Sequence, residues 1–299
     1  IVSVGLCIYF IAHDMNFSFG GIIKSVANSS FSKIFFFNDV NDKEYFFKQF
    51  FAGIFTMVAM NGLDQDMMQR NLSCRNYHES QKNMIISILL QFVVIATFLI
   101  LGVLLYIFAA AHGITATGDK IFPVIATGGY LPVIVGVLFI IGFVASAYNA
   151  AGSALTALTT SFTVDILGIK DKSEKQVSHI RGRVHLGMAL LMVLTIIIFN
   201  ILNNTSVIDA VYILASYTYG PILGMFAFGI IVKRPVRDKL VPFAALAAPC
   251  LCLILDMNSE RWFNGYHFSY EILIFNALFT FIGMCFLIKG KNDKDEKAI

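Results

Sequence analysis

Charged residues are scarce in this sequence. Asp, Glu, Lys and Arg make up 14% of its 299 residues, whereas typical soluble domains hold about 25%. Hydrophobic residues make up 57%, which excludes an ordinary soluble domain and predicts a protein that crosses a membrane several times. The formal net charge is only +3, so the charge balance gives no indication of binding to nucleic acid.

Motifs for catalysis and metal binding are also missing. The sequence contains no HExxH, no GxSxG, no P-loop and no glycine-rich dinucleotide turn. Cys250 and Cys252 lie two residues apart, but no second cysteine or histidine pair accompanies them to complete a metal site. No histidine falls within the apolar part of a predicted spanning segment, which disfavours a haem subunit, a membrane protease or an acyltransferase. We therefore expect neither enzymatic activity nor a cofactor.

Long apolar runs are what the sequence has in abundance. They predict eight helical segments, at about 1–12, 46–66, 84–112, 131–167, 184–202, 207–232, 240–256 and 270–288. Together they predict an all-α fold, a polytopic membrane helix bundle that forms one transmembrane domain over 1–299. The first run is too short to cross about 30 Å of hydrocarbon, and the sequence does not begin with Met, so we expect the C-terminal part of a longer protein. Between the first two runs, 13–45 predicts an interfacial loop with a short amphipathic helix.

The basic residues are distributed unevenly between the loops. Sixteen of the 22 Lys and Arg residues follow the second, fourth, sixth and eighth segments, and six lie on the other side. The positive-inside rule places the larger group in the cytoplasm. We therefore expect an integral protein of the bacterial inner (plasma) membrane, surrounded by lipid, with its C-terminus in the cytoplasm and 13–45 outside.

A stripe of polar residues runs along the fourth segment. Its members recur every three or four residues and so share one face of a helix; they are Ser146, Asn149, Ser153, Thr156, Thr160 and Thr163. Two interpretations remain open. Small and hydroxyl residues allow close helix packing, in which Ser or Thr bonds the carbonyl four residues back. Alternatively, the hydroxyls and the Asn149 amide line a path for an ion or a solute, because hard cations prefer oxygen ligands.

The second segment holds another set of residues that share one face of a helix. They are Met57, Asn61, Asp64, Gln65 and Met68. Gly62 beside them weakens the helix by up to about 1 kcal/mol relative to Ala, and a loosened helix would offer backbone groups to a ligand. Asp66 lies four residues before Arg70, a spacing that favours a local ion pair.

The sixth segment contains a proline preceded by a glycine. Pro221 cannot donate a hydrogen bond to the carbonyl of Tyr217, so a kink is expected there. Gly220 beside it allows a neighbouring helix to approach closely. This pair is therefore a candidate hinge for a gating movement.

The order of several motifs resembles that of the sodium:solute symporter family. Residues 61–83, NGLDQDMMQRNLSCRNYHESQKN, are similar to its glutamine- and arginine-containing signature, which is carried here by Gly62, Gln65, Gln69 and Arg70, with Ser80 and Lys82 following. The pair Phe122–Pro123, the run Tyr219–Gly220–Pro221 and the small-residue stripe that ends at Asp165 are similar to the family as well. This resemblance covers most of the chain. It implies a partial inverted-repeat fold of the leucine-transporter type, without its N-terminal helices.

The resemblance implies a secondary active transporter that couples sodium to the symport of a small organic solute by alternating access. We expect ion ligands at Asn149, Ser153 and Ser146, a solute pathway along Asn61, Gln65 and Met57, and gating hinges at Gly62, Gly220 and Pro221. Asn149 and Ala150 stand where sodium-coupled members carry adjacent hydroxyl residues, so an amide oxygen would replace a hydroxyl. The alternatives are a sodium-independent carrier, a proton-coupled carrier in which Asp64 or Asp66 titrates, and a transporter-like membrane sensor.

Overall fold

The computed structural model describes residues 1–168, 173–202 and 206–289, and for 65, 66 and 202 it describes the backbone alone. Within these ranges the regular structure is helical, apart from one isolated antiparallel bridge between Val236 and Ile288. The prediction of an all-α fold is confirmed. Of the basic residues used to predict the orientation, Lys170, Lys172, Lys291, Lys294 and Lys297 lie outside the described residues.

The helices follow the apolar runs of the sequence. They are α1 (Val2–Asp14), α2 (Phe19–Ala27), α3 (Phe46–Gly62), α4 (Gln65–Leu72), α5 (Tyr77–Ala111), α6 (Ile121–Thr127), α7 (Val133–Ser161), α8 (Glu174–Leu202), α9 (Val207–Ile231), α10 (Val241–Met257), α11 (Ser259–Trp262) and α12 (Ile272–Phe286). A π-helical turn, Phe162–Ile166, continues α7. Local chemistry sets several boundaries. The Asn76 side chain caps the start of α5 by accepting from the Glu79 amide at 2.8 Å, and Gly113, with a φ of +67°, follows its end.

Several helices are long and apolar enough to cross a membrane. In the described part of the chain these are Tyr77–Ala111, Val133–Ile166, Glu174–Ile201, Val207–Ile231 and Asp238–Met257. The pair α1 and α2 would form a sixth span, bent by 93°, and α12 is a shorter apolar helix. These helices fit an integral membrane protein. None of the most apolar stretch of α8 is buried, and only 11% of that of α7, so both present apolar surface to their surroundings.

Two of the predicted segments do not remain a continuous α-helix in the structure. The segment predicted at 46–66 is not one continuous helix, because α3 ends at Gly62 and α4 begins at Gln65. The long segment predicted at 131–167 does not stay α-helical to its end, because the π-helical turn takes over after Ser161. In each case the helical geometry changes among polar residues near one end of the apolar run.

The chain folds into two compact units. Unit 1 comprises Ile1–Lys33 and Gln69–Ser206. Its core forms where α1, α5 and α6 meet the start of α7, and it includes the fully buried side chains of Cys7, Ile11, Leu104, Phe108, Ile125 and Val135. Gly136 allows α7 to approach α6, because a Cβ at this position would stand 2.6 Å from the Ala126 carbonyl oxygen.

Unit 2 comprises Ile34–Met68 and Val207–Ile299. Its most extensive packing is between α9 and α12. Two glycines of α9 make this approach possible: a Cβ on Gly220 would stand 2.5 Å from the Asn276 side chain, and one on Gly224 would stand 2.4 Å from the Ala277 oxygen. A hydrophobic cluster in this unit also joins Cys252 of α10 to Ile272 of α12.

Candidate functional site

In unit 1, the predicted ion ligands lie on the exposed middle of α7. Ser146 and Asn149 are exposed, while Ser153 is half-buried. The Arg70 guanidinium donates a hydrogen bond of 2.8 Å to the Ser153 hydroxyl. Arg70 was expected to pair with Asp66, whose side chain lies outside the described residues. The structure therefore brings the signature arginine of α4 to the polar stripe of α7.

The Arg70 contact bears directly on ion binding at Ser153. A sodium ion about 4 Å from a guanidinium would be repelled by about 4 kcal/mol at an effective dielectric constant of 20. Arg70 is exposed, so solvent and salt reduce this repulsion. A cation at Ser153 would therefore require the guanidinium to move away. Asn149 and Ser146, about one and two turns before Ser153 on α7, are the more accessible oxygen ligands.

The hydroxyl groups further along α7 bond mainly to their own helix. Thr156 donates to the Gly152 oxygen at 2.8 Å, and Thr163 donates to the Thr159 oxygen at 2.6 Å. These bonds follow the pattern expected of a stripe that supports helix packing. Ser161 instead donates to the carboxylate of Asp165 at 2.9 Å, within the stretch where α7 changes into the π-helical turn.

A cleft with several polar side chains in its lining opens between α7 and α8, and the sequence analysis did not anticipate it. It has a volume of about 420 Å³ and is lined by Thr156, Thr159 and Thr160 from α7 and by Ser178, Arg181, Gly182 and His185 from α8. Thr159 donates to the Leu155 oxygen at 2.7 Å, and its hydroxyl oxygen lies 3.1 Å from Nδ1 of His185. The spacing of residues 178, 181 and 185 places them on one helical face, a signal that could have revealed the cleft.

In unit 2, the predicted solute-pathway residues lie at the end of α3. Asn61 Nδ2 donates to the Met57 carbonyl at 3.0 Å and lies 3.8 Å from the Met57 sulfur, so these two side chains are together. Gly62 is the last residue of α3. The third predicted member, Gln65, begins α4, and its side chain lies outside the described residues.

Asp64 occupies the interruption between α3 and α4. Its Oδ1 accepts a hydrogen bond of 3.3 Å from the Met67 amide, the geometry of an N-cap for α4. Its Oδ2 accepts a bond of 2.9 Å from the Tyr219 hydroxyl of α9. The sequence suggested Asp64 as a titrating group and Tyr219 as part of a motif, but it did not suggest that they meet. Through this bond α9 holds the interruption of α3 in place.

The predicted hinge of α9 is buried against α12. Gly220 and Pro221 are both buried, and α9 remains helical through the proline. Asn276 of α12 donates from Nδ2 to the Tyr217 carbonyl at 2.9 Å and to the Ser216 carbonyl at 3.2 Å. The Tyr217 carbonyl is the one that Pro221 cannot bond. Asn276, a single amide in an apolar run, was missed in the sequence analysis.

A buried charged cluster fastens the loop before α12 to the start of α3. Lys48 is 8% exposed and Glu271 is 6% exposed. Lys48 Nζ donates to the His267 carbonyl at 3.0 Å and stands 3.5 Å from the ring centroid of Tyr266. The Tyr266 hydroxyl donates to Glu271 at 3.1 Å, and the Ser269 amide donates to the same carboxylate at 3.0 Å. Burial, together with the negative charge of Glu271, raises the pKa of Tyr266.

The side chains available for binding are oxygen-rich and not of the type that holds a transition metal. Among the described residues, no three His, Cys, Asp or Glu side chains are grouped so that they could hold a metal ion. The oxygens of Ser146, Asn149 and Asp64 remain the candidates for a hard monovalent cation or a polar solute. No model of a known protein family, no curated protein and no solved structure matches the chain.

Proposed function

We propose that this protein is a secondary active transporter that moves a small organic solute across the membrane by alternating access, with a fold of the leucine-transporter type. The observation that carries this proposal is the break after Gly62 between α3 and the polar helix α4, with the carboxylate of Asp64 at the break. Irregular backbone at membrane depth is tolerated where it is buried in protein or lines a hydrated cavity. Transporters use such broken helices to bind solutes and ions.

The residues around the break are suited to a polar solute. Asn61 and Asp64 supply amide and carboxylate oxygens, and the N-terminus of α4 carries the positive end of a helix dipole. Met57 adds a flexible apolar surface. The Tyr219–Asp64 bond joins the break to α9, so its making or breaking would couple solute binding to a movement of α3 against α9. The resemblance of the order of the chain's sequence motifs to that of sodium:solute symporters supports the same interpretation.

We propose sodium as the coupling ion, with Asn149 and Ser146 as ligands and Ser153 joining them when Arg70 moves away. The membrane potential would contribute roughly 2.3 kcal/mol per charge per 100 mV, in addition to the concentration gradient. One specific observation favours a second candidate, a sodium-independent carrier. The Arg70 guanidinium already supplies a positive charge beside Ser153, where a sodium ion would otherwise be expected to bind. In a proton-coupled carrier Asp64 would titrate instead.

Transport assays in proteoliposomes test both proposals. Labelled amino acids, sugars and carboxylates are offered under an inward sodium gradient and under a matched potassium gradient. Sodium symport predicts uptake of at least one solute that is several times faster with sodium, and equal rates would refute sodium coupling while leaving a carrier. Absence of uptake and of counterflow for every solute class would refute transport itself, and a membrane sensor would become the leading candidate.

Matched variants locate the site. Asp64→Asn replaces the carboxylate at the break with a neutral amide and should reduce uptake about tenfold or more, because a hydrogen bond to a charged group contributes about 1.5–3 kcal/mol. Asp256→Asn is the control, because Asp256 accepts a similar bond of 3.1 Å from Tyr217 between α9 and α10, away from the break. Equal losses of uptake in both variants would show that the break has no special role.

A further inference from the structure

The cleft between α7 and α8 is lined by hydrogen-bond donors that the described residues leave unused. The Arg181 guanidinium makes no ion pair or hydrogen bond with any described residue, and the Thr160 and Ser178 hydroxyls make no hydrogen bond with one either. Thr160 differs in this respect from Thr156, one turn earlier, whose hydroxyl donates to the Gly152 carbonyl of its own helix. Three side chains from two helices therefore have donors available for a ligand.

The other polar pair in the lining is satisfied within the protein. The Thr159 hydroxyl donates to the Leu155 carbonyl at 2.7 Å. Because this bond uses the only hydroxyl proton, the Thr159 oxygen accepts a hydrogen bond from Nδ1 of His185, 3.1 Å away. Thr159 and His185 thus fix one another across the cleft, and the donors that remain for a ligand belong to Arg181, Thr160 and Ser178.

The charges around the cleft favour an anion. None of the described residues that line it is acidic, and the Asp165 carboxylate, which accepts from Ser161, lies outside the lining. In the first turns of α8, Lys175, Arg181 and Arg183 stand against the single acid Glu174. An excess of one sign of charge beside a cleft raises the local concentration of ions of the opposite sign.

The size and walls of the cleft suit an organic ligand. Its volume of about 420 Å³ falls within the roughly 300–1,000 Å³ that is typical of small-molecule pockets. Most of its exposed wall is carbon, to which threonine methyl groups and the arginine stem contribute. Gly182 adds no side chain to the lining, and nothing lies within 4 Å of where its Cβ would be. A bare inorganic ion would leave these apolar walls without a partner.

The number of donors and the single cation match a carboxylate. A carboxylate has about four lone-pair sites; the guanidinium fork can fill two of them and the two hydroxyls the others. Its single negative charge is neutralised by one guanidinium. A phosphate monoester carries a charge of about −1.5 to −2 at pH 7, so part of that charge would remain unpaired in the cleft.

We propose that unit 1 binds a small organic carboxylate in this cleft, with the carboxylate at Arg181, Thr160 and Ser178 and the organic body against the apolar walls beside Gly182. The positive-inside rule places Arg181 on the cytoplasmic side, so the ligand enters from there. This site shares no residue with the proposed solute and ion sites, and its existence does not depend on the protein being a transporter.

Fluorine NMR of a labelled probe tests the proposal. 4-Fluorobenzoate, 4-fluorobenzamide and 4-fluorophenyl phosphate are titrated with the purified protein in detergent, and protein-free micelles serve as the blank. The benzoate should bind about tenfold more tightly than the neutral benzamide, because a hydrogen bond between charged groups accounts for roughly that factor. It should also bind more tightly than the phenyl phosphate. Equal affinity for benzoate and benzamide would overturn the anion site, and tighter binding of the phosphate would overturn the assignment to a carboxylate.

Matched variants in α8 locate the binding. Arg181→Gln should weaken binding of 4-fluorobenzoate about tenfold, whereas Arg183→Gln, which removes the same charge outside the lining, should change it less than twofold. Equal losses in the two variants would overturn the proposal in favour of general charge attraction. If Arg181→Gln does not fold, Arg181→Lys replaces it; lysine keeps the charge but lacks the fork, so an intermediate loss is expected.

Two further pairs of variants test the hydroxyl and the walls. Thr160→Val should weaken binding about fivefold, while Thr156→Val, which removes a hydroxyl already bonded to its own helix, should have little effect. Gly182→Leu should abolish binding by filling the cleft, and Gly187→Leu, on the same helix but outside this lining, should not. Unchanged affinity in Gly182→Leu would show that the anion binds elsewhere and would overturn the assignment to this cleft.

Discussion

Removal of the Asn276 side chain should reveal what stabilises α9 at its proline. Asn276→Ala deletes the hydrogen bonds to the Tyr217 and Ser216 carbonyls, at 2.9 and 3.2 Å. The Tyr217 carbonyl is then left without the amide that Pro221 lacks, and a buried unsatisfied carbonyl costs about 1–3 kcal/mol. The cavity left by the amide adds to this cost. Removal of Asn276 Oδ1, which is buried without a hydrogen-bond partner, offsets part of it. We expect a decrease of about 2–3 kcal/mol in the free energy of unfolding.

A double-mutant cycle with Pro221→Ala isolates the proposed cause. Alanine at this position restores the backbone N–H that can bond the Tyr217 carbonyl, so Asn276→Ala should cost about 1 kcal/mol less in this background. The cavity is the same in both backgrounds and cancels. The four proteins would be compared by reversible denaturation in mixed micelles, followed by far-UV circular dichroism. A coupling below about 0.3 kcal/mol would refute the idea that Asn276 replaces the missing amide.

Three further predictions concern unit 2. Gly224→Ala should lower the free energy of unfolding by about 1–3 kcal/mol, because its Cβ would stand 2.4 Å from a carbonyl oxygen of α12. Gly229→Ala should be near neutral, because nothing lies within 4 Å of its Cβ position. Equal losses of stability in the two variants on denaturation would contradict this packing. Lys48→Met should cost about 1–3 kcal/mol and speed limited proteolysis of the loop before α12. An unchanged cleavage rate would count against the role of Lys48 in fastening this loop to the start of α3. Burial and Glu271 raise the pKa of Tyr266. The folded protein therefore retains the Tyr266 hydroxyl proton at a pH where the unfolded chain has already lost it. Stability should therefore fall as the pH rises beyond about 10, and Tyr266→Phe should make that fall shallower; parallel declines in the two proteins would refute the argument.

Apolar patterning predicts where the helices of this chain lie better than where they end. The segment predicted at 207–232 corresponds to α9 at Val207–Ile231, and that at 240–256 corresponds to α10 at Val241–Met257. In contrast, α5 begins seven residues before its apolar run and α8 begins ten residues before. Hydropathy marks only the stretch suited to lipid, whereas a helix continues into polar sequence until a cap such as Asn76 stops it.

The side-chain bonds that define the candidate site were beyond the reach of sequence patterns. Gly62 indicated a weak point in its helix, and the interruption lies directly after it. The Arg70–Ser153, Asp64–Tyr219 and Asn276–Tyr217 bonds, however, join residues 83, 155 and 59 positions apart. Helical periodicity describes neighbours three or four positions apart and carries no information on such pairs. Only the packed structure brings them together.

Because α5 is longer than a typical bilayer is thick, its tilt depends on the thickness of the membrane. Its 35 residues measure about 52 Å, and its apolar part from 84 onward alone measures about 42 Å, while a typical hydrocarbon core is about 30 Å thick. In a thin membrane α5 has to lean by up to about 40° or thicken the lipid around it, and in a thick one it can stand more upright. Because Leu104 and Phe108 anchor its last turns in the core of unit 1, a change in this tilt would turn α1 and α6 with it.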